Sequence, residues 1–229
     1  MQTGNDNIPL HEAPPGGGRN LVLVVSAPSG TGKTTICREL LKQEPQLSFS
    51  VSHTTRPPRR AEKDGSDYHF VSESEFRERI ARDEFIEWVE NFGHLYGTSR
   101  DTVNQCIQSG RDVLLDVEPH GAKTLKRIYP WGVFVFMLPP SLAVLAERLG
   151  RRGSEGEDMR KQRTDRAVEE IREATWYDYI VTNDSVSHTV TLLRSIYVAE
   201  KNRNVRSERR IAALLKVTGG ITHYGTHNR

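Results

Sequence analysis

Five consecutive apolar residues, Leu21-Val22-Leu23-Val24-Val25, run directly into Ser26-Ala27-Pro28-Ser29-Gly30-Thr31-Gly32-Lys33-Thr34-Thr35, and no other stretch of the chain restricts its fold so tightly. An apolar run without alternation is the pattern of a parallel strand buried on both faces. Helix-forming sequence follows, so the glycines stand at a strand-to-helix turn. Gly30 and Gly32 leave room for successive backbone N–H groups to turn toward one anion, and the new helix adds its positive end. Lys33 then lies along terminal phosphates, and the Thr34 hydroxyl is a candidate Mg²⁺ ligand. The candidate nucleotide loop is Ser29, Gly30, Thr31, Gly32, Lys33, Thr34 and Thr35. The general form of such a loop begins with a glycine where this chain has Ala27. A glycine-rich turn that only joins strand to helix is the plainer alternative, and the downstream residues decide between the two.

A length of 229 residues suits one domain, or one domain with a small insert. With 36% hydrophobic and 27% charged residues, the composition is that of a folded protein with a polar surface. No apolar run approaches the ~18 residues of a membrane span, and the N-terminus lacks a basic-then-apolar signal pattern, so a cytoplasmic location without a membrane partner is expected. Cys37 and Cys106 stand far apart without metal-ligand spacing, which argues against structural zinc and suits thiols in a reducing compartment. From Glu200 onward the net charge is +5, but Tyr224 is the sole aromatic in the region after Tyr197. That tail therefore reads as a solvated helix with a loose end, and no nucleic-acid partner is expected.

Residues 1–19 contain Pro9, Pro14, Pro15 and Gly16-Gly17-Gly18 with little to pack, and read as a disordered extension. The helix opened by Lys33 is expected to reach about Lys42, and Leu47 to Ser52 alternates as a half-exposed strand. Between His53 and Phe70, Pro57 and Pro58 forbid a helix, so Arg56, Arg59 and Arg60 project from a stiff loop. Forked donors held this way suit a phosphate monoester, with the Tyr68 hydroxyl nearby; a solvated basic loop is the alternative. Ser72-x-x-Glu75 is a capping box for a helix to about Arg82. Phe85 to Val89 and Leu95 to Ser99 form a hairpin about Gly93, with Glu87 expected on one face beside Phe85 and Val89. A helix over Asp101 to Gln108 stops at Gly110.

Asp112 to Glu118 is a second core strand ending in acids, and Asp116 stands where a partner for metal-bound water belongs. A helix from Pro119 and a third strand, Val133 to Leu138, follow; Pro139-Pro140-Ser141 then restarts a helix through Leu149. Arg148, Arg151, Arg152, Arg160, Arg163 and Arg166 crowd a segment with little apolar content, which reads as a mobile cationic lid closing on phosphates; a solvated helical hairpin is the alternative. Tyr179 to Thr182 is the last strand, and a helix runs from Val186 to about Asn202. The fold class is α/β, a three-layer arrangement with a parallel core sheet, an inserted antiparallel lobe and a helical lid.

Together these segments resemble the guanylate kinase family, P-loop kinases that move a phosphoryl group from ATP to GMP. The resemblance spans about 21–199. It rests on the Ser26–Thr34 loop, on Ser52-x-x-x-Arg56-x-x-Arg59-x-x-Glu62-x-x-Gly65-x-x-Tyr68-x-Phe70, on Phe85-Ile86-Glu87-Trp88, on Tyr96-Gly97-Thr98, on Leu115-Asp116-Val117-Glu118, on Pro139-Pro140-Ser141 and on the arginine-rich lid. It implies a P-loop NTPase fold with a GMP-binding lobe of α+β content. By this resemblance Arg56, Arg59, Tyr68 and Tyr96 hold the GMP phosphate, and Ser52, Glu87, Thr98 and Glu118 face guanine. ATP lies on Ser29 to Thr35 with Asn183 near adenine, and Mg²⁺ is held by Thr34 and, through water, Asp116. Lys33, Arg148, Arg152 and Arg163 stabilise the moving phosphoryl, and no strong general base is needed because the acceptor is already a phosphate oxygen.

The domain division this implies is a kinase domain at 20–203, with core 20–50, 100–147 and 168–203, GMP lobe 51–99 and lid 148–167, followed by a basic tail at 204–229. The expected partners are the small molecules ATP and GMP or dGMP, and the expected state is a monomer or homodimer. Ala27, Glu118 in place of a common Asp, Pro119-His120 and Thr98 in place of Ser depart from the family pattern. Two other activities compete: a guanylate-kinase-like peptide-binding module, which typically has a degraded loop, and a P-loop kinase for another phosphorylated acceptor, which needs no guanine-reading residues.

Overall fold

The computed structural model describes residues 20–151 and 157–218; the extension 1–19, Arg152 of the lid and the end of the tail at 219–229 lie outside the described residues. In chain order the elements are β1 (Val22–Ser26), α1 (Lys33–Gln43), β2 (Leu47–Phe49), β3 (His53–Thr54), β4 (His69–Phe70), α2 (Glu73–Ala81), β5 (Phe85–Asn91), β6 (His94–Ser99), α3 (Arg100–Gln108), β7 (Asp112–Asp116), α4 (Pro119–Ile128), β8 (Val133–Leu138), α5 (Leu142–Arg151), α6 (Glu157–Arg172), β9 (Tyr179–Thr182), α7 (Val186–Lys201) and α8 (Asn204–Thr218).

The core sheet is parallel, in the order β2-β7-β1-β8-β9. Its central strand explains the unalternating apolar run. Leu21, Leu23 and Val25 pack with Ile36 and Leu40 of α1 and Val190 and Leu193 of α7, while Val22 and Val24 pack on the other face with Val103 of α3 and Ala122, Leu125 and Ile128 of α4. Each such side chain, fully buried, contributes about 1.5–3 kcal/mol, so both faces of β1 must be apolar. The chain leaves β1 toward β2 on one side and crosses from β7 to β8 on the other. The carboxyl ends of β1 and β7 therefore face the crevice in which sheets of this kind bind ligands.

The lobe is a second sheet, β4-β3-β6-β5, inserted between β2 and α3. Its core is Phe76, Phe85 and Leu95, with the Phe76 and Phe85 rings stacked at 4.4 Å, and Ser72 Oγ caps α2 by accepting from the Glu75 N–H at 3.1 Å. Three expectations are corrected here. β2 ends at Phe49 rather than Ser52, because after Ser50 bonds to Leu114 the chain departs for the lobe. The lobe is not wholly antiparallel: His53 and Thr54 pair in parallel with His69 and Phe70, since the Pro57-Pro58 loop cannot make a tight hairpin and returns β4 in the same direction. The register of β5 against β6 also shifts between Phe85 and Glu87. That irregularity leaves Phe85 in the lobe core and turns Glu87 and Val89 into the cleft, so the three do not share a face.

The lid carries more apolar content than its composition suggested. Leu145 and Leu149 of α5 bury against Ala167 of α6, and Leu149 lies on the phosphate loop, where a Cβ on Gly30 would come within 2.9 Å of it. Beyond position 203 the chain forms α8, the helix expected in the tail. The Arg206 side chain, 6% exposed, bonds the Trp131 carbonyl at 3.0 Å and pairs with Glu200 at 3.3 Å, anchoring the first turn. Among the described residues, no helix is long and apolar enough to cross a membrane.

Candidate active site

Gly30 and Gly32 adopt φ values of 89° and 100°, a region open to glycine and strained for other residues, and Gly32 caps α1. The backbone turn thereby delivers Lys33 and Thr34 to the end of β7. Lys33 Nζ sits 2.7 Å from Asp116 Oδ1 and donates to the Val117 carbonyl at 2.5 Å. Burial works against the Lys33 charge and the Asp116 carboxylate outweighs it, so its pKa stands above the ordinary lysine value. Thr34 Oγ1 donates to Asp116 Oδ2 at 3.2 Å. The Thr31 carbonyl receives two long-range donors, Arg148 Nη1 at 3.0 Å and Asn183 Nδ2 at 2.7 Å. Asn183 Oδ1 in turn accepts from Thr189 Oγ1 at 3.0 Å. The Asn183 amide nitrogen is therefore tied to the loop, while its oxygen faces α7. Thr35 is exposed on the first turn of α1.

A cleft of about 450 Å³ opens beside the loop, walled by Ser29, Gly30, Gly32, Lys33, Thr34, Asp116 and Glu118 of the core, by Ser52, Arg56, Arg59, Tyr68, Glu87 and Tyr96 of the lobe, and by Arg163 of α6. Of the lid arginines expected at the phosphates, Arg163 lines the cleft, Arg148 holds the loop and Arg152 lies outside the described residues.

On the lobe wall Arg56 is gripped bidentately by Glu62, at 3.0 and 2.9 Å, and its guanidinium lies 5.5 Å from the Tyr68 ring centroid. Glu62 also accepts from the Arg59 N–H at 2.8 Å. One carboxylate thus fixes both arginines. In the sequence Glu62 stands six and three residues from these arginines, spacing that by itself assigns it no role. Tyr68 and Tyr96 meet edge to face at 6.1 Å, and burial raises the Tyr68 phenol's pKa, keeping it a neutral hydroxyl donor.

The acids occupy the same cleft in different surroundings. Glu87 is buried and accepts the Thr98 hydroxyl proton at 2.5 Å. Burial is the main reason its pKa is pushed up to about 7; the Thr98 bond pulls the other way and the Glu118 charge adds to the rise. Its second oxygen faces Gly121 in the first turn of α4, where a Cβ would overlap it. Glu118 is the residue before Pro119 at the α4 N-terminus, and its side chain makes no capping bond. It turns instead to Asn91, whose Nδ2 donates to both carboxylate oxygens at 2.7 Å. Arg166 Nη1 donates to Asn91 Oδ1 at 2.5 Å, Arg166 Nη2 lies 3.5 Å from Glu118, and Arg166 Nε donates to Glu170 at 3.0 Å. Burial pushes the Glu170 pKa up to about 7 as well. Arg166 belongs to the arginine-rich lid segment, whereas no local pattern marks Asn91 or Glu170.

Two cationic groups facing one cleft, one on a glycine loop at the carboxyl end of the central strand and one on an inserted lobe, suit transfer between two phosphorylated substrates, and with the parallel sheet they define the P-loop kinases. The family model described as guanylate kinase matches residues 19–200, and the chain belongs to the guanylate kinase family. It is 51% identical over 197 residues to guanylate kinase of Syntrophus aciditrophicus, covering 86% of this chain and 95% of the relative. Against guanylate kinase of Geobacter metallireducens the identity is 47%, covering 81% of this chain and 92% of the relative. The crystal structure of guanylate kinase from Anaplasma phagocytophilum superposes with a TM-score of 0.70 at 30% identity, covering 89% of this chain and 97% of that one.

Proposed function

We propose that this protein transfers the γ-phosphoryl group of ATP to GMP, giving ADP and GDP, and takes dGMP in the same way. Family membership supports the reaction. The observation that carries the choice of acceptor is the pair of carboxylates, Glu87 and Glu118, on the walls of the phosphate-binding cleft. Guanine offers N1–H and an exocyclic amine as donors, and a carboxylate accepts from both. Adenine turns an N1 lone pair to the same place, which leaves buried polar groups unpaired.

In this reading Arg56, Arg59, Tyr68 and Tyr96 hold the GMP phosphate, and Ser52 supplies a hydroxyl to the base. Thr98 contributes by orienting Glu87. Lys33, the loop N–H groups, Arg148, Arg152 and Arg163 stabilise charge on the phosphoryl in flight, and Asn183 supports the loop that carries the ATP phosphates. Thr34 and Asp116 suit Mg²⁺, since an ion that takes one or two protein oxygens and leaves the rest of its shell to phosphate and water fits a hydroxyl and a carboxylate side by side. Thr34 would bind it directly and Asp116 through water; when bound, the ion neutralises charge on the β- and γ-phosphates. We read the enzyme as cytoplasmic, a monomer or homodimer acting on small-molecule substrates, consistent with its free thiols Cys37 and Cys106. A peptide-binding role is disfavoured by the intact Lys33–Asp116 pair.

An ADP-release assay offering GMP, dGMP, AMP, CMP and UMP in turn tests the proposal. Turnover confined to GMP and dGMP is expected. Equal rates on all five, or none on any, would overturn it.

A further inference from the structure

Asn91, Arg166 and Glu118 come from three separate parts of the molecule: the end of β5 in the lobe, α6 in the lid and the N-cap of α4 in the core. They meet in one chain of hydrogen bonds beside the cleft. Arginine has only donors to give, so the Asn91 atom facing Arg166 must be the amide oxygen, and that choice turns the NH₂ group toward Glu118. The polarity of the chain is fixed by chemistry: Arg166 donates to Asn91, and Asn91 donates to Glu118. A carboxylate carries about four acceptor sites, of which Asn91 uses one on each oxygen, leaving others for a ligand donor. The next residue strengthens the junction. Phe92 holds a left-handed φ of 50° at the hairpin tip, and its ring lies beneath Arg163 and Arg166 of α6, at 4.7 and 5.5 Å. A bulky residue in that region is strained and persists where its surroundings hold it.

We infer that Asn91 and Arg166 are a positioning pair: they aim the Glu118 carboxylate at the purine and make purine binding depend on the placement of the lid helix. The inference rests on the reading of Glu118 as a guanine acceptor. Asn91 holds the carboxylate in one rotamer, and Arg166 holds Asn91 in one amide orientation. The chain closes only when lobe, lid and core stand together, so a ligand that gains from a fixed Glu118 favours that arrangement, and the lid's placement favours that ligand in return.

Steady-state kinetics and calorimetric GMP binding on the full chain and its variants test this. Asn91→Ala is expected to raise KM and Kd for GMP about tenfold or more, the size expected for losing a hydrogen bond to a charged group, with KM for ATP little changed. Asn91→Asp preserves shape and strengthens the contact to Arg166, but it loses the donor and sets a second carboxylate against Glu118. It is expected to weaken GMP at least as much as Asn91→Ala. Arg166→Gln is expected to weaken GMP several-fold from its place on the lid, Arg166→Lys to recover most of that loss, and the double variant Asn91→Ala/Arg166→Gln to be no worse than the worse single one, because the two act in series.

GMP binding by Asn91→Asp equal to or better than that of the unaltered protein would show that the contact only braces the lid and would overturn the pair. Fully additive effects, or an unchanged KM for GMP in Asn91→Ala, would do the same. If the unaltered protein phosphorylates GMP while Asn91→Ala behaves like it, the positioning pair alone falls; if the unaltered protein does not phosphorylate GMP, the reading of the acceptor falls first.

Discussion

Thr98 on β6 donates its hydroxyl proton to Glu87 on β5 at 2.5 Å, across one antiparallel pair in which both residues are buried. The register shift before Glu87 makes that meeting possible, because it turns the side chain out of the lobe core and into the cleft. The outcome is a carboxylate near neutrality in pKa, with one oxygen held by Thr98 and the other against Gly121.

The raised pKa of Glu87 sets the sign of two pH effects. The folded value, about 7, lies above the ordinary 4.5, so between these values the native protein holds a proton that the unfolded chain has released. The stability from this group is present below the unfolded value and is lost as pH rises through the folded one. Thermal melts at pH 6 and pH 8 should differ less in Glu87→Gln than in the unaltered protein, with a remainder from Glu170, which is shifted the same way. In the proposed function GMP needs the ionised form. Its affinity should therefore fall by up to about tenfold per pH unit below 7, with a proton released on binding, which calorimetry in buffers of different ionisation enthalpy measures.

Gly121→Ala drives a methyl group into the Glu87 carboxylate. The acid must swing away from Thr98, and GMP affinity should drop about tenfold or more, as for a lost hydrogen bond to a charged group. ATP binding, in which the proposed function gives Glu87 no part, should hold. Comparing KM for the two substrates checks this.

The readable and unreadable parts of this site differ in how far apart their residues lie. The phosphate loop is contiguous: its glycines, Lys33 and Thr34 act through local backbone geometry, and the strand before it announces burial on both faces. The Arg56 loop was likewise legible because Pro57 and Pro58 fix its character within a few residues. Asn183 and Thr31 are 152 positions apart, and the engagement of that amide with the loop follows from how α7 packs, which no local pattern records. Arg166 looked like one more lid cation, and Asn91 like a polar residue ending a strand. Only the folded chain brings them, 75 positions apart, into hydrogen bonding. The packing of Leu149 on Ala167 is hidden for a related reason: two apolar residues among many arginines make no visible period, yet with Leu145 they seat α5 and α6 together.

Lys33→Ala should lower kcat about 10²–10³-fold, the scale for removing one preorganised donor to developing charge. GMP affinity should change little, because the proposed role of Lys33 is on the transferring phosphoryl rather than the acceptor. Single-turnover kinetics beside GMP calorimetry separates the two.

Glu62→Gln leaves Arg56 and Arg59 in place but loosens both, since one carboxylate holds the first side chain and the second backbone. KM for GMP should rise several-fold. Arg56→Ala should raise Kd for GMP further, by about tenfold or more, since a charged partner of the phosphate is lost. An unchanged dissociation constant in Arg56→Ala would remove that residue from the phosphate site.

The most direct measurement is a crystal structure of the protein with GMP and a non-hydrolysable ATP analogue. The account predicts the guanine base within hydrogen-bonding distance of Glu87 and Glu118, the GMP phosphate on Arg56, Arg59, Tyr68 and Tyr96, and the analogue's phosphates on the loop beside Lys33. A base seated away from both carboxylates, with the nucleotide still in the cleft, would contradict it.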